Sequence, residues 1–356
     1  MQGPKERKLQ RTTWVVFSDR GYQMANMNDV SRLAGVSRGT VSNYINGLKV
    51  RPAAQERIEN AIKKLNYVPN AAARTLKTNR SSYVVLIIPR VDTPFFSELS
   101  YCMQQVLKEN GYKMILCNSN SRPQEEFEYI QMAKTQKVAG IITMSYADIR
   151  ELVPPDIPLV ALENKVADFF PLITSDNYHG GSLAASKLYS LGARKLLFIS
   201  KAPVKDVSQI REQGFRDYCE DNKIEHDRFV AQNKANFVDD FRYFIESEVT
   251  DKKFKYDGVF SDSDEYVSDF WYLLQQRKIA VPEEVQLIGF DGARVYPRQQ
   301  VVVSSIKQPV TEITRQAFKS LQQQLIGKNN TQNEMYEPLV LPVSFIQGQT
   351  TKQAES

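Results

Sequence analysis

The sequence predicts an α/β protein with an all-α helix-turn-helix head, and three observations carry that reading. Residues 28 to 46 hold two short stretches of helical apolar periodicity separated by a glycine. From residue 83 onward, strand-like apolar runs alternate with helical segments, the pattern of doubly wound parallel sheets. Charge divides along the same line: residues 1 to 80 hold 15 Lys and Arg against 5 Asp and Glu, whereas the rest holds 31 against 36. A basic head on a mildly acidic body is the footprint of a nucleic-acid reader with a separate regulatory domain. A chain of 356 residues suits two or three domains.

In the head, Asn26 and Asp29 form an N-cap pair for a first helix on which Val30, Leu33 and Ala34 share one face. Gly35 suits a tight turn, and Ser37 caps a second helix whose buried face is Val41, Tyr44 and Ile45. Arg38, Gly39, Ser42 and Asn43 then face outward near its start, where a recognition helix carries its base-reading side chains. Taken alone, residues 28 to 46 fit a plain helical hairpin equally well. A third helix follows: Pro52 suits its first turn, and Ile58, Ala61, Ile62 and Leu65 repeat at i, i+3, i+4 and i+7.

In the body, residues 83–88 form a continuous apolar strand, as expected for a parallel strand covered on both faces. A helix at 96–110, a strand at 113–117, a helix at 124–135 and a strand at 140–144 follow. After Asp176 the pattern repeats, with helices at 178–191, 211–222 and 264–276 between strands at 195–199, 258–261 and 285–290. Two such halves form a cleft, with ligands bound near the carboxyl ends of the strands.

The stretch Leu65-Asn66-Tyr67-Val68-Pro69-Asn70-Ala71-Ala72-Ala73-Arg74-Thr75-Leu76-Lys77 carries a resemblance. Its tyrosine-x-proline-asparagine step and small-residue hinge ending in leucine resemble the LacI/GalR-type (lactose repressor) transcription regulators. The resemblance runs from about residue 26 to 347. It implies a helix-turn-helix DNA-binding domain over 26–68, a hinge helix and linker over 69–81, and an effector-binding and dimerisation domain over 82–347. That body resembles a periplasmic binding protein, with lobe 1 at about 82–175 and 304–337, lobe 2 at about 176–303 and 338–347, and a tail at 348–356. Residues 289–292 and 306–310 resemble the sucrose- and oligosaccharide-responsive repressors of Gram-positive bacteria.

The same resemblance implies roles. Arg38 and Asn43 contact base edges, an arginine fork suiting guanine and an amide suiting adenine. Ser37, Thr40 and Ser42 touch phosphates, and Gly39, where the family has a larger residue, reads little. Asn70 to Lys77 fold into a hinge helix against a dimer mate. There Leu76 wedges a central base step from the minor groove, Ala73 allows close approach, and Arg74 and Lys77 neutralise phosphate. Candidate effector contacts are Phe95, Phe96, Asn118, Asn120, Asp176, Arg211, Ser263 and Asp291. Asp291 leads them, because a carboxylate at a strand end accepts two hydrogen bonds from adjacent hydroxyls. Ser263 stands where the family has asparagine, and Gln347 where it often has arginine. Expected partners are a near-palindromic double-stranded operator, a second copy of the chain, and a sugar or sugar phosphate, with no cofactor. The alternative within the family is control by a phosphorylated carrier protein docking on the body.

Other functions fit less well. Gly35-Val36-Ser37-Arg38-Gly39 matches the hydrolase G-x-S-x-G pattern, but a nucleophile elbow needs a strand before it and here a helix precedes. His179 and His226 are distant in sequence, and no phosphate-cradling or zinc motif occurs. Cys102, Cys117 and Cys219 are widely spaced, which favours reduced thiols over disulfides or a metal site. No apolar run approaches the roughly 18 residues of a membrane span. Trp14 to Phe17 is too short for a signal core, so a cytoplasmic protein is expected and an exported sugar-binding protein is disfavoured. Residues 1–23 fit no element: they read as a basic arm, or as a stretch ahead of a translation start at Met24 or Met27.

Overall fold

The computed structural model describes residues 25–68, 81–145, 149, 153, 157–204, 206–233, 236–294, 300–326 and 335–353. Residues 1–23 and the hinge positions Asn70, Ala73, Arg74, Leu76 and Lys77 lie outside them. The chain divides into two compact units, Met1–Arg74 and Thr75–Ser356.

The head is three helices, α1 (Met27–Ala34), α2 (Arg38–Ile45) and α3 (Pro52–Leu65). Asn26 Oδ1 accepts from the backbone N–H groups of Asn28 and Asp29 at 2.8 and 3.3 Å, and the Asp29 carboxylate accepts from Asn26 N–H at 2.9 Å. This reciprocal box uses donors that a helix start otherwise leaves orphaned. Gly35 ends α1 at φ 60°, a left-handed turn that glycine adopts without a Cβ clash. Ser37 Oγ accepts from Thr40 N–H at 3.1 Å and opens α2. The core joins Val30, Ala34, Val41, Ile58, Ala61 and Tyr67. Leu33, expected on the buried face, is instead 45% exposed. The core contact of α1 centres on Val30 and Ala34, and so short a helix cannot bury a wider stripe.

The body contains two six-stranded sheets. The first comprises β1 (Tyr83–Ile88), β2 (Lys113–Asn118), β3 (Gly140–Thr143), β4 (Leu159–Leu162), β5 (Leu172–Ser175) and β13 (Leu339–Leu341), in the order β13-β5-β4-β3-β1-β2. The second comprises β6 (Lys195–Lys201), β7 (Glu225–Ala231), β10 (Gly258–Ser261), β11 (Gln286–Asp291), β12 (Ser305–Lys307) and β14 (Ser344–Ile346), in the order β14-β12-β11-β10-β6-β7. Pairing is parallel except between β12 and β14. β8 (Val249–Thr250) and β9 (Lys253–Phe254) form a separate antiparallel ribbon.

Helices α4 (Pro94–Glu109), α5 (Pro123–Thr135) and α10 (Val310–Ile326) pack on the first sheet. Helices α6 (Asn177–Ser190), α7 (Asp206–Asp221), α8 (Phe237–Ser247) and α9 (Asp264–Gln276) pack on the second. Each sheet is covered on both faces, which gives each lobe two apolar layers: Leu86, Leu99 and Leu321 lie on one side of the first sheet, and Val85, Ile141 and Ile130 on the other. This is why the strands read as unbroken apolar runs instead of alternating ones.

The chain passes between lobes after β5, after β12 and again between β13 and β14. The second and third crossings fall later than the expected 303/304 and 337/338. The three-residue strands β12 and β13 are too short to show any period, so sequence placed each in the wrong lobe. The tail expected from 348 also differs. Thr350 and Thr351 are buried: Thr350 Oγ1 accepts from Ser304 N–H at 2.9 Å and donates to Leu287 O at 2.8 Å, and Lys352 N–H donates to Gln286 Oε1 at 3.0 Å. Residues 348–353 are therefore stitched into the second lobe.

Candidate functional site

On α2, Arg38, Gly39 and Asn43 are exposed, while Thr40 and Ser42 are half-buried. Ser37 and Thr40 share a hydroxyl hydrogen bond of 2.9 Å, and Asn46 Nδ2 donates to Ser42 O at 2.7 Å and to its Oγ at 3.3 Å. The three small hydroxyls are thus tied to the helix start or its last turn, and the longer Arg38 and Asn43 project from it. A Cβ on Gly39 would meet only Ser37 Oγ, at 3.6 Å. The fold leaves room there for a side chain, so the glycine is not a packing requirement.

In the body, a cavity of about 1110 Å³ lies between the two sheets at the carboxyl ends of their strands. Six expected effector positions line it: Phe95, Phe96, Asn120, Arg211, Ser263 and Asp291. Phe95 is also part of the core, its ring edge-on to Phe96 at 5.2 Å, whereas Phe96 is half-buried. Ser263 caps α9 by accepting from Glu265 N–H at 3.2 Å.

Asn118 and Asp176 do not line the cavity, which corrects two expectations. Asn118 closes β2, with its carbonyl accepting from the Tyr129 hydroxyl at 3.1 Å. Asp176 caps α6 through His179 N–H at 3.0 Å. A capping carboxylate is aimed at its own helix, and Asn177, the next residue, turns instead to Glu163 and Arg211 behind the cavity lining. It is buried, donates to Glu163 Oε2 at 2.9 Å and accepts from Arg211 Nε at 2.7 Å.

Arg211 is held by three partners. It lies in the second turn of α7, which begins at Asp206 and not at 211 as expected. It is 6% exposed, its Nη1 donates to Asp262 O at 2.8 Å, and its guanidinium stacks on the Phe290 ring at 3.5 Å. The glycine contact between α6 and α7 sets this geometry: a Cβ on Gly181 would lie 1.9 Å from Arg211 O.

Asp291 ends β11 at φ 125°, backbone that favours glycine and costs about 1–3 kcal/mol for another residue. Gln308 holds it there, donating its backbone N–H to Asp291 O at 3.1 Å and its Nε2 to Asp291 Oδ1 at 2.8 Å. Gln308 Oε1 in turn accepts from Ser175 Oγ of the first lobe at 2.7 Å. Asp264 lies beside Asp291, accepting from Ser305 Oγ at 2.6 Å and Gly292 N–H at 2.9 Å. Burial pushes the Asp291 carboxyl up to about 7, against the opposing pull of Arg211 and Gln308. Burial first, and then the Asp291 charge, push Asp264 well above the usual carboxylate range.

At the mouth, Arg90 of the first lobe donates to Asp92 at 2.5 Å and reaches both Glu265 oxygens of the second lobe at 3.3 and 3.4 Å. Glu163, Asn177, Asp264 and Gln308 were not among the expected residues. Only Gln308 had a signal, as part of the 306–310 resemblance. Glu163 follows β4 in a loop and Asp264 opens α9, and nothing local marks either as a cavity residue. His179 and His226 are outside the cavity, and among the described residues no group of His, Cys, Asp and Glu could hold a metal ion. The cavity offers hydrogen-bond donors, acceptors and ring faces.

Residues 26–70 match the model of the bacterial regulatory proteins, lacI family, and residues 185–351 match the periplasmic binding protein-like domain. The ribose operon repressor of Lactococcus lactis subsp. lactis is 30% identical over 93% of this chain and 99% of its own. The chain belongs to the lacI family. It is accordingly a DNA-binding transcriptional regulator, in a family made of regulators. The sucrose operon repressor of Pediococcus pentosaceus is 29% identical over 91% of this chain and 98% of that protein. Among solved structures, a periplasmic binding protein/LacI transcriptional regulator of Alkaliphilus metalliredigens complexed with D-xylulofuranose is 28% identical. Its TM-score is 0.64, over 77% of this chain and 100% of that one. A lac repressor dimer bound to operator and an anti-inducer shares the lacI-family fold at TM-score 0.77 and 20% identity, over 92% of this chain and 99% of that one. No described helix is long and apolar enough to cross a membrane.

Proposed function

We propose that this regulator represses a carbohydrate uptake or utilisation operon, and that a sugar bound between the lobes controls its grip on DNA. The observation that carries the reading is the convergence of Asp291 and Arg211, each pinned by several partners, in a cavity walled by Phe96, Tyr266 and Trp271. A carboxylate accepts from two adjacent hydroxyls, a guanidinium donates to a third, and aromatic faces cover the apolar side of a sugar ring. Relatives named as sucrose and ribose operon repressors support the same assignment.

On the DNA side, residues 26–68 are the reading domain and 69–81 the hinge, with 82–347 as the effector and dimerisation domain. Arg38 and Asn43 read base edges, and Ser37, Thr40 and Ser42 contact phosphates. Asn70, Ala73, Arg74, Leu76 and Lys77 form the minor-groove hinge. Two copies engage a near-palindromic operator in the cytoplasm, since one head spans a half-site. The sugar binds the two lobe arrangements unequally and so shifts which one holds the hinges at operator spacing.

Fluorescence anisotropy of the full chain on its own upstream promoter DNA, with sugars added singly, tests this. One sugar is expected to change operator affinity; intact operator binding that no sugar alters overturns effector control. Leu76→Ala is expected to lower operator affinity far more than non-specific affinity, and equal losses contradict the wedge.

A further inference from the structure

We infer that the cleft takes only uncharged polyhydroxyl ligands and excludes their phosphate esters, because among the described residues that line it carboxylates outnumber cations and each cation already has a partner. The inference rests on the sugar-effector reading and narrows it.

Carboxylates enter the cavity from both lobes. Glu163, Asp262, Asp264 and Asp291 surround its floor, Asp269 stands on the wall, and Asp92 and Glu265 stand at the mouth. The cations are fewer. Arg211 is occupied by Asn177, the Asp262 carbonyl and the Phe290 ring. Arg90 is bound to Asp92 and Glu265. Lys201 Nζ sits 4.4 Å from the Phe237 ring centre and 5.5 Å from that of Tyr266, and its charge opposes the upward push that burial and Glu265 give the Asp269 carboxyl. Arg294 is engaged as well.

Three helix starts at the cavity, the other common kind of anion cradle, are poor hosts for one. The first turn of α9 carries Asp264 and Glu265, and α7 opens on Asp206. At α4, Pro94 has no N–H to give, and Thr93 Oγ1 already accepts the Phe96 N–H at 3.4 Å. A phosphate dianion would therefore meet like charge from more carboxylates than the partnered cations offset.

The carboxyls themselves report the same field. Asp262 and Glu163 add to burial in pushing Asp291 up, and Asp291 does so to Asp264, although Arg211 opposes both. A floor that disfavours its own negative charges disfavours two more. A hydroxyl has no such difficulty, since it donates to a carboxylate and accepts from a guanidinium with no net charge brought in.

The test is calorimetric titration of the full chain with glucose, fructose, ribose and sucrose, each against its phosphate monoester. At least one neutral sugar is expected to bind, with its ester weaker by on the order of 100-fold, the scale of like charges forced together. Asp264→Asn is expected to narrow that gap. Because Asp264 also anchors Ser305 and Gly292, Asp269→Asn provides the same charge change at a residue free of that scaffold role. An ester that binds as tightly as its parent overturns the inference and leaves the sugar reading standing. A gap that both variants leave unchanged overturns it too, by removing its electrostatic cause. If neither member of any pair binds, the sugar reading falls and the inference with it.

Discussion

Asp291 combines a strained backbone, a raised carboxyl and a position facing the cavity, and Gln308 makes that combination tenable. The strain at φ 125° is offset by two hydrogen bonds from one side chain and its backbone. The raised carboxyl has a consequence for stability. The folded state holds the Asp291 proton up to about 7, while the unfolded chain releases it in the ordinary carboxylate range. Between those limits the native state binds more protons, so the Asp291 contribution to ligand-free stability falls as pH rises and levels off above about 7. Asp291→Asn is expected to flatten that decline without abolishing it, because Asp264 shifts in the same direction. Urea midpoints measured across the range check this; an unchanged pH slope rules out a raised Asp291.

At the scale of elements, the cleft depends on how closely α6 and α7 approach. Gly181 and Gly214 face backbone across the contact: added Cβ atoms would lie 1.9 Å from Arg211 O and 2.0 Å from Tyr178 O. Rigid backbone cannot yield as a flexible side chain does, so Gly181→Ala is expected to cost about 1–3 kcal/mol by overpacking. It should also weaken ligand binding, because separating the helices moves Arg211 off Asn177. Thermal melting together with sugar titration checks both effects; a variant of unchanged stability means the helices separate freely. Helices α1 and α2 depend much less on tertiary contact for their limits. Asn26, Asp29, Gly35 and Ser37 fix their ends through bonds spanning at most a few residues, and those were legible in the sequence. The helices α8 and α10 were not assigned, and the start of α7 was placed too late.

At the scale of the whole molecule, the Arg90–Glu265 pair joins the lobes at the mouth, and the covalent crossings join them elsewhere. Both side chains are more than a third exposed, so the pair contributes little to global stability, about 0–1 kcal/mol. Its position gives it leverage on opening instead. Glu265→Gln is expected to leave the melting temperature nearly unchanged while speeding sugar release in stopped-flow fluorescence, for which Trp271 in the cavity wall is the reporter. Equal release rates in both proteins would mean that the pair does not restrain opening.

The sequence by itself determined the elements whose causes are local. A capping box, a left-handed glycine, and apolar runs of strand length separate the head from the body and specify two doubly wound lobes. The family resemblance, together with the rule that ligands gather at the strand ends of parallel sheets, also brought Phe96, Asn120, Arg211, Ser263 and Asp291 forward. Tertiary structure decided everything that relies on residues distant in the chain. Short strands such as β12 and β13 acquire their lobe only from the neighbours they pair with. Leu33 is exposed because three helices, and not one helical wheel, define the head's core. Asp176 turns to its own helix while Asn177 turns to Arg211. Glu163, Asp264 and Gln308 become a site only when segments far apart in sequence meet. Hydrogen bonds and charge act over a few ångströms of space, and a sequence lists neighbours along the chain alone.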